Sequence, residues 1–90
     1  MEYEWDPEKA ATNEKKHAVS FHEAATVFAD PLAITFSDPD HSFDEYRYLT
    51  FALSKFDRLL VVSHSDNGDK VRIINARLMT RQERRIYEEG

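Results

Sequence analysis

Ninety residues set the size of one domain, taken as 1–90, with a small core: a chain this long buries about 60 to 65% of its unfolded surface. The absence of cysteine excludes disulfides, thiolate metal sites and thiol nucleophiles, and a total of two glycines excludes the glycine-rich cradles of P-loop and Rossmann cofactor sites. A net charge of −5 argues against a general nucleic-acid binder, yet residues 1–45 hold 3 Lys/Arg against 11 Asp/Glu while residues 46–90 hold 9 against 6, so an acidic half adjoins a basic one.

Met1 to Trp5 alternates like an edge strand, and its acidic start lacks the regions of a signal peptide. No segment approaches the roughly 20 apolar residues of a membrane span, so a cytoplasmic protein is expected. Asp6-Pro7 is an N-cap followed by proline at the first helical position, predicting a helix to about His17 with Ala10, Ala11 and Asn13 on its modest inward face. Ser20-Phe21-His22-Glu23 reads as a capping box opening a second helix, with Phe21, Ala24, Ala25, Val27 and Phe28 as its apolar stripe and Asp30-Pro31 as its end.

The period then changes. Leu32 to Phe36 reads as a strand, Ser37 to Ser42 as a turn, and Tyr46 to Ser54 as a central strand with Arg47, Leu49, Phe51 and Leu53 on one face. Arg58 to Ser65 is a buried strand that places His64 on the face of Leu60 and Val62. Asn67-Gly68 between β-branched runs predicts a hairpin to the Val71 to Arg77 strand. Thr80-Arg81-Gln82-Glu83 is a second capping box opening a final helix. Two helices, a strand meander and a last helix make an α+β fold: an antiparallel sheet with helices on one face and the other face or an edge left for a ligand.

The residues with chemistry are Arg47, Arg72, Arg77 and His64, with Arg81, Arg84, Arg85 and Tyr87 on the last helix. Fixed guanidiniums are planar donors suited to phosphate, and an imidazole titrates near neutrality. His64 is read equally as an acid–base group and as a polar residue ending a strand; His17 suits the dipole of the first helix better than catalysis. Arg72 and Arg77 differ by five positions and face opposite ways on a regular strand, so either a bulge lies near Asn75-Ala76 or one arginine reaches the site. No zinc spacing occurs, and the Asp38, Asp40, Asp44 cluster lacks the glycine and distal glutamate of a calcium loop, so no metal or other cofactor is expected. The set suits attack of a ribose 2′-hydroxyl on the adjacent phosphorus, which needs a base, an acid and cations but no metal.

Trp5-Asp6-Pro7, Lys16-His17, Val19-Ser20-Phe21-His22-Glu23-Ala24, Asp30-Pro31, Glu45-Tyr46-Arg47, Val61 to His64, Arg72 to Arg77 and Thr80 to Glu88, in that order, resemble the BrnT family of bacterial toxins. The resemblance implies a RelE-like fold and an endoribonuclease toxin of a type II toxin–antitoxin pair that cleaves RNA and inhibits translation. It also implies neutralisation by a BrnA antitoxin with a ribbon-helix-helix domain, through which alone the pair touches operator DNA. By the same resemblance the family's Lys-His pair falls on Lys16 and His17, its Glu-x-Arg on Glu45 and Arg47, its strand-end histidine on His64 and its strand arginines on Arg72 and Arg77, so that His64, Arg47, Arg72, Arg77 and His17 are the catalytic candidates and Lys16 an RNA contact; Arg81, Arg84, Arg85 and Tyr87 are taken as RNA contacts from their own chemistry. The chain departs from the family at Ala18, where glycine is usual and the turn tightens, and at Asn75, where serine is usual. The alternative from the residues themselves is a binding module without catalysis that docks protein or nucleic acid on its arginine surface.

Overall fold

The computed structural model describes residues 1–38 and 46–90. Expectations for Pro39 to Ser42 of the turn, for exposed His41, for the carboxylates Asp40 and Asp44 and for Glu45 lie outside the described residues. In chain order come β1 (Glu2–Glu4), α1 (Pro7–His17), α2 (Phe21–Thr26) with a 3-10 turn Val27–Ala29, β2 (Ile34–Ser37), β3 (Arg47–Leu53), β4 (Leu59–Asn67), β5 (Lys70–Leu78) and α3 (Arg81–Glu89).

The strands form one sheet in the order β1-β5-β4-β3-β2. The meander from β2 to β5 is antiparallel, as its short connections dictate, whereas β1 adds to β5 in parallel. β4 is therefore the central strand, and β3, expected at the centre, lies second from the edge. The hairpin also shifts by one residue. Asn67 pairs with Lys70, so Gly68-Asp69 is the two-residue turn, with Gly68 at φ +63° in the first turn position where glycine carries no steric penalty.

Local chemistry explains the helices. Asp6 Oδ1 accepts from Glu8 N at 2.8 Å and opens α1, while Ala18 closes it in the left-handed region at φ 58° with its N–H donating to Glu14 O. An alanine bears there a strain that glycine lacks. Ala10 faces inward but Ala11 is exposed; the buried polar residue is Asn13. Its amide pairs with the uncovered edge of β5, Nδ2 donating to Ala76 O at 2.9 Å and Oδ1 accepting from Ala76 N at 3.1 Å, in place of a neighbouring strand.

Ser20 caps α2 by accepting from Glu23 N, but the Glu23 side chain does not close the box. Buried itself, it is drawn instead into an ion pair with half-buried Arg58, accepts from Ser54 Oγ at 2.7 Å, and is braced by Arg58 Nη2 donating to Ala18 O at 2.9 Å. The hydrogen bond from Arg58 is the main reason its carboxyl titrates below the usual glutamate value, against the opposing effect of burial. α3 keeps the full box, with Thr80 and Glu83 capping each other.

The helix α1, the helix α2 and the 3-10 turn cover one face of the sheet. Val19, Phe21, Ala24, Val27, Ala52, Leu60, Val62, Ile73 and Ala76 form the core between them, each large member contributing about 1.5–3 kcal/mol by leaving water. The opposite face holds a smaller cluster of Phe51, Val61 and Met79, against which Leu49, Leu59 and Tyr87 of α3 pack. Helices thus lie on both faces, not one, because α3 turns back over the far end of the second face.

Candidate functional site

Strand pairing decides which arginines meet. Arg47 on β3 is opposite Ser65 on β4, Ser65 is opposite Arg72 on β5, and Arg72 is opposite Glu4 on β1. The two arginines are next-nearest strands in one row, about 10 Å apart at their backbones, with the Ser65 hydroxyl between them. All three side chains stand on the face opposite α1 and α2. A cavity of about 330 Å³ opens there, lined by Glu4, Tyr46, Ser65, Asp66, Asn67 and Arg72. That volume is at the lower end of the ligand-pocket range.

The expected bulge is present, one residue earlier than the sequence suggested. The register shifts between Ser63 and His64, which face Asn75 and Ile73 and leave Ile74 unpaired. Ile73 and Ala76 consequently both point into the main core although they are three residues apart. Arg72 and Arg77, each beside one of them, are thereby brought to the same face.

The same face does not give the same role. Arg77 forms a two-pronged pair with Glu83, Nη1 donating to Oε1 at 2.7 Å and Nη2 to Oε2 at 2.9 Å, and also donates to Leu78 O. The hydrogen bonds from Arg77 are the main reason the Glu83 carboxyl is held down to about 2. Arg77 therefore fastens α3 to β5 and does not join the Arg47–Arg72 row. Tyr87 is fixed similarly: its hydroxyl donates to Asp30 Oδ2 at 2.6 Å, which raises the phenol to about 12. Arg81, Arg84 and Arg85 are exposed on the outer side of α3.

His64 does not face the arginines. It is 2% exposed, on the helix-covered face, paired across the sheet with Tyr48. The edge of Phe28 and the stacked ring of Tyr48 enclose it at centroid distances of 4.8 and 5.8 Å. Nε2 lies 2.7 Å from Thr50 Oγ1 and Nδ1 lies 2.9 Å from Asp66 Oδ1. Burial pushes the imidazole below its usual value, more than Asp66 pulls it back. His17 and Lys16 are elsewhere again. They line a cavity of about 390 Å³ between α1 and the bulge of β5, with Lys9, Thr12, Asn13 and Asn75, and neither Arg47 nor Arg72 belongs to it.

The geometry thus joins Arg47 and Arg72, adds Ser65 and Glu4, holds the Asp66 carboxylate with His64 on the helix-covered face, and separates Arg77, Tyr87, His17 and Lys16. Ser65 escaped sequence reading because only pairing reveals that it lies between two arginines; the signal available was its position next to His64 at the hairpin end. Among the described residues no group of three or more His, Asp or Glu is placed to hold a metal ion, and no helix is long and apolar enough to cross a membrane.

Comparison with known proteins follows the same lines. The family model for the ribonuclease toxin BrnT of type II toxin–antitoxin systems matches residues 5–83. The fold is similar to the 1.1 Å crystal structure of the Brucella abortus ribonuclease toxin BrnT, with a TM-score of 0.65 and 18% identity over 90% of this chain and 99% of that one. No curated protein matches the chain.

Proposed function

This chain belongs to the BrnT family of ribonuclease toxins of type II toxin–antitoxin systems, and we propose that it cleaves RNA at the Arg47–Ser65–Arg72 row without a metal ion. The row itself carries the reading. Two permanent cations flanking a hydroxyl donor fit a phosphodiester bound by its non-bridging oxygens, and their charge offsets what develops on phosphorus during attack by the 2′-oxygen. Arg72 has no ion-pair partner among the described residues, so its donors remain for a ligand. Arg81, Arg84 and Arg85 serve as exposed contacts to the flanking RNA backbone.

Cleavage of messenger RNA in the cytoplasm would stop translation, and a BrnA-like ribbon-helix-helix antitoxin would neutralise the toxin and carry the pair to operator DNA. Family membership and the division into an acidic and a basic half support a charged protein partner. Expression of the toxin alone is expected to arrest growth, and either Arg72→Ala or co-expression of the antitoxin to relieve it. Purified toxin is expected to cleave RNA with EDTA present. Growth arrest undiminished by Arg72→Ala would overturn the site, and cleavage that stops on chelation would overturn metal independence.

A further inference from the structure

Attack by a 2′-hydroxyl needs a proton acceptor, and the described histidines stand away from the arginine row. His64 is buried on the helix-covered face, His17 lines the cavity beside α1, and His22 packs its ring against Trp5. Asp66 is committed as well: it pairs with buried Val71 on the helix-covered face, where His64 holds its carboxylate. The first strand supplies a different carboxylate. Tyr3 packs against the main core and stacks on Phe28 at 5.5 Å, so Glu4, the next residue of β1, stands on the opposite face. There it is beside Arg72 in the row that continues through Ser65 to Arg47, and it lines the same cavity as Ser65 and Arg72. Glu4 is half-buried, and its side chain has no hydrogen bond or ion pair among the described residues. It lies one residue ahead of the family match at 5–83, so its place in the pocket belongs to this chain's own first strand.

We propose that Glu4 accepts the proton of the attacking ribose 2′-hydroxyl; this rests on the phosphodiester reading of the same row. In-line displacement puts the entering and leaving oxygens on opposite sides of phosphorus, so with the phosphate over Ser65 the acceptor belongs at one end of the row. Glu4 occupies the β1 end, about 5 Å beyond Arg72 at the backbone, a gap that a glutamate side chain spans. An ionised carboxylate only accepts, whereas Tyr46 at the edge of the cavity brings a hydroxyl and the arginines only donate. As the 2′-oxygen bonds to phosphorus, its proton passes to Glu4. The P–O5′ bond breaks, leaving its electron pair on the 5′-oxygen, which takes a proton from water, and Glu4 returns its proton to the hydroxide formed. The products are a 2′,3′-cyclic phosphate and a 5′-hydroxyl.

The test measures single-turnover cleavage and RNA affinity for wild type, Glu4→Gln, Glu2→Gln and Arg72→Ala, with thermal unfolding followed in parallel. Glu4→Gln is expected to slow cleavage by about 100-fold or more while RNA binds as tightly or tighter, since a negative charge leaves a phosphate pocket, and to melt like wild type. Glu2 is the control: it is exposed two residues earlier on the same face of β1, opposite Lys70, and Glu2→Gln is expected to cleave at the wild-type rate. A second RNA carries sulfur in place of the bridging 5′-oxygen, a leaving group that departs without a proton. The Glu4→Gln defect is expected to persist on it, because the entering hydroxyl is unchanged. An undiminished rate in Glu4→Gln, an equal loss in Glu2→Gln, or a defect that vanishes on the sulfur substrate each overturns the base assignment. If Arg72→Ala cleaves like wild type, the failure belongs to the phosphodiester reading instead.

Discussion

Arg72 and Arg77 sit on the same strand and face the same side of the sheet, yet one ends in a pocket and the other in a carboxylate. The difference lies in what each meets: Arg72 lines a cavity beside Ser65 and Asp66, and Arg77 is held by both oxygens of Glu83. A charge committed to a two-pronged partner secures an element, and a charge without one is available to a ligand. Residue type and face alone do not distinguish them.

Substitution should pull the two roles apart. Arg72→Ala is expected to slow RNA cleavage by about 10²–10³, about 3–4 kcal/mol in the barrier, while leaving the unfolding midpoint nearly unchanged. A large loss of stability with it would erase the contrast. Arg58 sharpens the comparison from the structural extreme, because its partner Glu23 is 4% exposed. Arg58→Ala strands a buried carboxylate and is expected to cost about 3 kcal/mol of stability in denaturant unfolding.

Arg77→Ala should fall between, costing on the order of 2 kcal/mol after allowance for solvent screening of the partly exposed pair. Its signature is in acid. Glu83 is held down to about 2 from an ordinary 4.5, so its stabilisation is full above about 4.5 and is lost as pH falls through about 2. Wild type should lose stability across that window more steeply than Arg77→Ala, and equal slopes would show the pair contributes little. The smallest effect concerns neither arginine's partner: Ala18→Gly relieves a left-handed alanine at φ 58° and should stabilise by about 0.5–1 kcal/mol in thermal unfolding, without altering cleavage.

What the sequence revealed followed how local each signal was. Caps at Asp6 and Thr80, the alternation of Arg47 to Leu53, and the meander were all legible, because each is decided within a few residues. Glu23 looked like a capping-box residue for the same reason, and Arg58, 35 positions away, claimed it. The sequence already placed His64 with Leu60 and Val62, and Arg47 with Leu49. That these are opposite faces follows only from the pairing of Tyr48 with His64. The bulge at Ile74 was foreseen as one of two ways to reconcile Arg72 with Arg77, but what each arginine meets depends on contacts to other elements.

The most direct measurement maps the ends left on a defined RNA by wild type, Arg72→Ala and Arg77→Ala with EDTA present. The account predicts 2′,3′-cyclic phosphate and 5′-hydroxyl ends from wild type and from folded Arg77→Ala, and almost none from Arg72→Ala. Cleavage by Arg72→Ala at the wild-type rate, or ends of another chemistry, would contradict it.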